Sequence, residues 1–497
     1  MGCASDAVAI GNGRKERVDE MVIDREGRRS PSESCDRKEI AVPQLHIKKL
    51  KAIATEWVLQ ISKSRDCSPE NNDAMLPCDI LIQGSTSLGV SFKDSDVDAV
   101  LITPNFVFRE DFFTSFVEVL RQCTCVSDLL VISDSIVPLI KMKFETTSVD
   151  LVMSRFNLPS VPAYITFDMD PERFYFNIDQ YSVHGLSGCH FAEKIRTLVP
   201  NMTVFLELLK IIKVWAHRRQ ISHNVYGFPS NIGWVIMCAY LCIYLGKDGD
   251  VECVPLIILV KMFFNYFANW QWPSPVTIAP FYTSQELKLY SWEPKQVPQE
   301  TMPIITPVYP HQNASFLVRP STLEMVVNEL KRGGEILTEI TLGKACWEDL
   351  FAPYEIVKEY KHFLKFELSL NSFEELKRIG GLVDSRLREL AALLEGDKDI
   401  RAVRIAKYQQ PRKVLVVPEV SAKLNDDCYK FERSWLLGMQ INKICPVQKG
   451  LKVEQIIDIT NYIQMFYLNL QDRESHVNFI EILKPSYIKQ SDLIAES

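Results

Sequence analysis

The sequence lacks the marks of an exported, membrane-spanning or zinc-stapled chain. Its 13 cysteines are scattered, with no CxxC pair, and the tightest spacing, Cys123-x-Cys125, has no His or Cys partners at zinc-ligand spacing. They read as reduced thiols of an intracellular protein. No apolar run reaches the roughly 20 residues that span a bilayer. Residues 232–245 are too short, and Lys261 and Asn265 interrupt 254–270, so both read as buried core helices and no membrane partner is expected. The N-terminus carries no apolar signal core, which argues against export. Asp6 stands where a myristoylation motif following Met1-Gly2-Cys3 requires Ser or Thr. A surplus of basic charge is missing too. With 56 Lys+Arg against 63 Asp+Glu, the net charge is −7, which excludes a globally basic coat for nucleic acid but not a local groove.

What is present is ordinary in bulk and informative in pattern. The chain has 497 residues, 47% hydrophobic and 24% charged, enough for about two to four domains with real cores. Residues 1–44, rich in Arg, Glu, Asp, Ser and Gly, read as a solvated tail. Apolar Ile47, Leu50, Ile53, Trp57, Val58 and Ile61 then recur at helical spacing. Strands follow at 79–83 and 97–102, a helix at 111–122, and one or two strands within 139–153. Residues 192–350 are dominated by helical periodicity at 203–219, 232–245, 254–269 and 321–332. From residue 360 the order is strand, helix, strand, strand, helix, strand, with the last pair at 453–469 and 477–483. That β-α-β-β-α-β order is ferredoxin-like, an arrangement shared by many RNA-recognition modules.

The chemistry concentrates in Gly84-Ser85-Thr86-Ser87 and in Asp94-Ser95-Asp96-Val97-Asp98. On a strand, side chains alternate, so Asp96 and Asp98 share a face. Two carboxylates on one face repel unless a cation lies between them, and hard oxygen donors suit Mg²⁺ or Mn²⁺. The Gly-Ser turn offers backbone N–H groups and a hydroxyl for phosphate oxygens. A third carboxylate, Asp150, interrupts the apolar run Val149-Asp150-Leu151-Val152. A charge there costs free energy unless it is paired or metal-bound. From DxD alone, an Asp-rich surface turn explains the residues equally well; the Gly-Ser turn and Asp150 together favour a two-metal site.

These motifs resemble those of the polymerase-beta-like nucleotidyltransferases and, more narrowly, of the eukaryotic poly(A) polymerases. The likeness continues through Asp111-Phe112-Phe113-Thr114-Ser115-Phe116, Leu198-Val199-Pro200-Asn201 and Ile212-Lys213-Val214-Trp215-Ala216. It extends to Trp270-Gln271-Trp272-Pro273-Ser274-Pro275 and the highly specific Met302-Pro303-Ile304-Ile305-Thr306-Pro307-Val308-Tyr309-Pro310. The resemblance implies an α+β multidomain protein. A nucleotidyltransferase unit, a mixed sheet with helices, would occupy 45–160, a helical middle domain 161–355, and a ferredoxin-like, RRM-like RNA-binding domain 356–490. It also implies that Asp96, Asp98 and Asp150 ligate two Mg²⁺ or Mn²⁺ ions, with Asp150 helping to activate an RNA 3′-hydroxyl. Lys213 would contact the incoming nucleotide's phosphates. Read from the residues alone, Lys213 is more readily a lysine whose stem covers apolar surface while its head stays in water.

The nucleotide pocket implied by the resemblance comprises Gln83, Gly84, Ser85, Phe92, Asp96, Asp98, Asp150, Lys213, Ser222, Asn231, Ile232 and Thr306. Asn224, Gly227 and Phe228 also follow the family pattern. Several pocket residues depart from it: Gln83 replaces an aromatic, Ser222 a tyrosine, His217 a lysine and Ser187 an asparagine, and Ser230-Asn231-Ile232 stands for Gly-Gly-Val. Losing a stacking ring costs about 1–3 kcal/mol per base. The resemblance therefore implies template-independent addition of adenylates from ATP to RNA 3′ ends in mRNA polyadenylation. Cleavage and polyadenylation proteins are expected as partners and the nucleus as compartment, with the cytoplasm as the alternative. The altered pocket keeps a uridylyl- or relaxed-specificity transferase open, and a catalytically weak RNA-binding paralogue is the third reading. For RNA contact, the acid-free run containing Arg401, Arg404, Lys407, Arg412 and Lys413 around Tyr408 suits phosphates and stacking, or equally a charged strand edge.

Overall fold

The computed structural model describes residues 33–67, 75–90, 96–133, 137–167, 174–247, 253–284, 287, 289–295, 300–415, 429–442 and 456–496. Side chains are described within these ranges except at 33–42, Ser85, 407–415, Tyr429 and 494–496. The expectation for Phe92 lies outside the described residues.

The first unit is a five-stranded mixed sheet. Its strands are β1 (Asp79–Ile82), β2 (Val97–Thr103), β3 (Val126–Ile132), β4 (Leu139–Phe144) and β5 (Thr147–Arg155), in spatial order β1-β2-β5-β4-β3. Only β2 and β5 run parallel. Both central strands are buried on both faces, which is why they read as nearly continuous apolar runs. Alternation divides their side chains. Ala99, Leu101, Val149 and Leu151 face helix α1 (Glu33–Ser64) through Leu50, Ala54, Trp57 and Val58. Val100, Ile102 and Val152 face the opposite way, onto Val183 and Leu186 of helix α4. Short helices flank this unit, among them α2 (Gly84–Ser87), Arg109–Phe113 and α3 (Ser115–Gln122), and α4 (Gln180–Leu198) leads out of it. Helix α1 begins at Glu33, inside the stretch read from composition as tail.

The helical region contains α5 (Met202–Arg218), α6 (Asn231–Gly246), α7 (Leu256–Ala268) and α8 (Pro320–Thr341). Asn201 caps α5 by accepting from the Val204 N–H, and Ser230 caps α6 through Gly233. The fully buried Trp215, Trp234, Phe263, Phe264 and Phe267 fill its centre. Edge-to-face contacts join Trp215 to Trp234 and Phe264.

The last unit has strands β6 (His362–Leu370), β7 (Ile400–Leu415), β8 (Tyr429–Ile441) and β9 (Leu483–Lys489), in order β9-β6-β8-β7 with every pairing antiparallel. Numbered within the unit this is 4-1-3-2, produced by the expected β-α-β-β-α-β chain order. Helix α9 (Phe373–Glu395) buries Leu376, Ile379, Val383, Leu387, Leu390 and Leu394, and α10 (Thr460–Gln471) packs beside it. Boundaries depart from the sequence reading, most of all in the last helix and strand. The second helix starts at Thr460, and the region expected as a strand at 477–483 forms a short helix, Phe479–Ile482, before the strand begins. Pro485 disguises that strand, and its edge position tolerates a residue without an N–H.

Candidate active site

Parallel pairing of β2 with β5 sets Asp98 directly beside Asp150. Neighbouring strands lie about 4.8 Å apart, and residues in register point to the same face. By alternation that face is the one Val100, Ile102 and Val152 share, turned toward α4 and the helical region. Antiparallel pairing of β4 with β5 sets Lys141 on the other side of Asp150, and the two form an ion pair. The row across the sheet is thus Asp98, Asp150, Lys141.

Burial, then the charges of Asp150 and Asp96, push the Asp98 carboxyl up to about 6, against the pull of Lys141 and Lys213. By surface area Asp98 is open to solvent, yet protein atoms crowd its carboxylate. The crowding governs its charge, since neighbouring groups exclude the water that would solvate it. Burial likewise raises Asp150, while the Lys141 ammonium lowers it. Asp96 is exposed just before β2. Among the described residues no three His, Cys, Asp or Glu groups already form a metal cage. The donor set nevertheless fits hard divalent cations: two carboxylates in register, a third two residues away, and mutual repulsion that a cation would relieve.

The flanking turn is built around this pair. The Gln83 N–H donates to the Asp98 carbonyl at 2.9 Å. Gly84 has φ +67°, and any Cβ there would collide with the Asp98 carboxylate, so both conformation and space require glycine. Gln83 packs its amide against Gly188 of α4, its Oε1 buried without a hydrogen-bond partner among the described residues. Arg196 of α4 donates to the Ser87 carbonyl at 2.6 Å and to its Oγ at 3.0 Å, fastening the turn from behind.

From the helical region, Lys213 reaches the same place. It is 5% exposed and donates to the Val90 carbonyl at 2.7 Å. Burial pushes its ammonium down to about 8, opposed by Asp98. Of the remaining pocket candidates, Ser222 is half-buried and Asn231 and Ile232 are exposed. The last two begin α6, where backbone N–H groups lack helical partners and the dipole favours anions. Thr306 exchanges hydrogen bonds with Gln312.

The expected RNA contacts fare differently. Arg401 is exposed and pairs with Glu324 at 2.6 Å. Arg404 must be corrected: it is 3% exposed, stacks over Tyr354 at 3.4 Å and Phe228 at 5.3 Å, and donates to the Arg219 carbonyl at 2.8 Å. It joins the last unit to the helical region and offers RNA nothing in this arrangement. The side chains of Lys407, Arg412 and Lys413 lie outside the described residues. Sequence reasoning missed Lys141, Arg196 and His184. For Lys141 a signal existed, a lone lysine inside the apolar strand Leu139-Ile140-Lys141-Met142, matching the lone Asp150 nearby.

Residues 24–199 match the family model of the poly(A) polymerase nucleotidyltransferase domain, and residues 204–353 match that of the poly(A) polymerase central domain. The chain belongs to the poly(A) polymerase family. It is 33% identical over 372 residues to poly(A) polymerase PAPalpha of Candida albicans, covering 73% of this chain and 63% of that one. It is likewise 33% identical over 371 residues to a poly(A) polymerase of Schizosaccharomyces pombe, covering 74% and 62%. A Dictyostelium discoideum poly(A) polymerase is 31% identical over 366 residues, covering 74% and 44%. The chain thus spans less than two thirds of the length of these poly(A) polymerases. Among solved structures, the Cid1 poly(U) polymerase with MgGTP bound aligns at TM-score 0.43 and 15% identity, covering 64% of this chain and 94% of that one.

Proposed function

We propose that this protein adds adenylates from ATP to RNA 3′ ends without a template. The observation that carries the reading is the in-register pair Asp98 and Asp150, faced by Lys213 from the next unit. In the reaction, the RNA 3′-oxygen forms a bond to the α-phosphorus and the bond to the β-phosphate bridge breaks, releasing pyrophosphate. Asp150 would take the hydroxyl proton, a role supported by the burial that gives its carboxyl more proton affinity than an exposed one. Lys213 balances triphosphate charge, and the Gly84 turn holds the phosphates against the carboxylate row. Asp96, Asp98 and Asp150 would hold two Mg²⁺ or Mn²⁺ ions, which supply charge neutralisation at the phosphates. The protein's part is positioning and electrostatics.

ATP and an RNA 3′ end are the proposed partners, with cleavage and polyadenylation proteins beyond them and the nucleus as proposed compartment. These rest on family likeness alone. The test is to offer each NTP separately to a 5′-labelled oligoribonucleotide with Mg²⁺ or Mn²⁺. Adenylate ladders support the reading, whereas exclusive uridylate addition, or RNA binding without incorporation, overturns it.

A further inference from the structure

Two side chains join helix α4 to the segment that carries Thr306. Gln312 Nε2 lies 3.2 Å from Nδ1 of His184. His184 stands on α4 one turn before Gly188, and residues four apart share a helix face, separated by about 6 Å. Gly188 is where the Gln83 side chain packs, and the Gln83 N–H bonds to the Asp98 carbonyl. The bridge therefore lies within a few residue contacts of the carboxylate row. Its other half, Gln312, is exposed and sits in a segment braced by the pairing of Ile305 with Asn313.

The hydrogen bonds already made fix what the bridge can offer a ligand. The Gln312 N–H donates to Thr306 Oγ1 at 2.9 Å, and the Thr306 N–H donates to the Gln312 carbonyl at 2.9 Å. The Thr306 oxygen having accepted, its O–H remains to donate. Burial holds the His184 imidazole below its ordinary range, so it is neutral at pH 7. With its proton on Nε2, Nδ1 accepts from the Gln312 amide nitrogen. The amide oxygen then faces away from His184 and has no partner among the described residues. An acceptor and a donor are thus carried by two residues bonded to one another.

We propose that Gln312, oriented by His184, is a specificity-determining residue that accepts a hydrogen bond from the exocyclic amino group of the incoming base while Thr306 donates to the adjoining ring nitrogen. Adenine presents that pair of groups. Guanine presents oxygen where the amino group should be, and uracil does the same, so each sets lone pair against lone pair. Cytosine presents the same amino group beside a ring nitrogen, so this pair of contacts excludes guanine and uracil but does not by itself separate adenine from cytosine. His184 is a positioning residue, since without its lone pair the amide is free to turn and present nitrogen. The inference rests on the adenylyl-transfer reading and names what selects the base within it.

The test compares ATP with purine riboside 5′-triphosphate, which lacks only the amino group, using wild type, Gln312→Leu, His184→Ala and His184→Gln. Wild type should favour ATP in kcat/KM by roughly ten-fold, the worth of one base-edge contact. In Gln312→Leu and His184→Ala the preference should collapse toward unity because ATP falls to the level of the analogue. His184→Gln, which restores an acceptor, should recover it, a rescue that a merely structural role would not give. Gln312 is exposed, so its leucine variant should fold, and melting curves verify this. An ATP-to-analogue ratio unchanged in both Gln312→Leu and His184→Ala overturns the proposal. A wild-type enzyme that adds only uridylate overturns the adenylyl reading beneath it, whatever the variants do.

Discussion

Lys141 and Asp150 form an ion pair across antiparallel strands, at the point where Asp150 is also flanked by Asp98. The Lys141 ammonium therefore offsets, together with Lys213, the mutual repulsion of a row of carboxylates. Replacing it should leave both acids harder to ionise. Lys141→Met is expected to raise the Asp98 and Asp150 pKa values further, so that the acid side of the kcat/KM profile moves to higher pH. Superimposable pH profiles for wild type and variant would show that Lys141 does not tune the site.

The same repulsion makes a stability statement. Asp98 has its carboxyl raised from 3.8 to about 6. Between those values the folded state binds more protons than the unfolded one, so this group's contribution to stability falls as pH rises from about 4 to about 6 and stays low above. Asp98→Asn removes that penalty. Its melting temperature should match wild type near pH 4 and exceed it at pH 7, while chain extension is abolished. A variant that extends RNA at the wild-type rate would remove Asp98 from the chemistry.

Lys213 supplies an alkaline limit. Burial lowers its ammonium from 10.5 to about 8, so the charge proposed to balance the triphosphate is lost as pH rises through 8. kcat/KM for NTP should decline above that point. In Lys213→Arg the limb should vanish, since a guanidinium stays charged, even if the rate is lower throughout. A limb retained in the arginine variant must come from another group.

How much of this was legible in the sequence depends on whether the deciding contact is local. Asp98 and Asp150 stood out because each interrupts an apolar strand, and alternation along one strand is a local property. The partnership of Lys141 with Asp150 depends on cross-strand register, and that of Gln312 with His184 joins residues 128 positions apart. Neither could be read from spacing. Helix α4 escaped notice because it mixes His184, His190, two glycines and serines with its apolar positions, yet it is buried on much of its length by tertiary packing. Arg404 misled for the opposite reason: a basic run looks alike whether its members meet water or, as here, two aromatic rings.

Arg404 and Arg401 offer a direct contrast between those environments. Truncating buried Arg404 to alanine removes its stacking on Tyr354 and Phe228 and its bond to the Arg219 carbonyl, and should cost about 2–3 kcal/mol. Arg401→Ala breaks an exposed pair with Glu324 and should cost less than about 1 kcal/mol. Urea unfolding measures both. Equal costs would contradict the burial assigned to Arg404, and weaker RNA binding from Arg404→Ala at unchanged stability would reinstate it as an RNA contact.

Asp384 of α9 is where the last unit grips the loop leading to α6. It accepts from the Tyr226 hydroxyl at 2.6 Å and from Trp435 Nε1 at 2.7 Å, and it pairs with Arg433. Tyr226 stacks on His223, beside Ser222, and precedes Gly227, whose φ of +89° turns the chain toward α6. Loss of the carboxylate strands three donors, one of them charged, so Asp384→Ala should destabilise by about 3–5 kcal/mol. Tyr226→Phe removes a single bond and should cost about 1 kcal/mol. Because the loop carries Ser222, both variants should also raise KM for the nucleotide more than they lower kcat, in the same order of severity. If Asp384→Ala lost stability with KM unchanged, the last unit would be bracing the fold without shaping the nucleotide pocket.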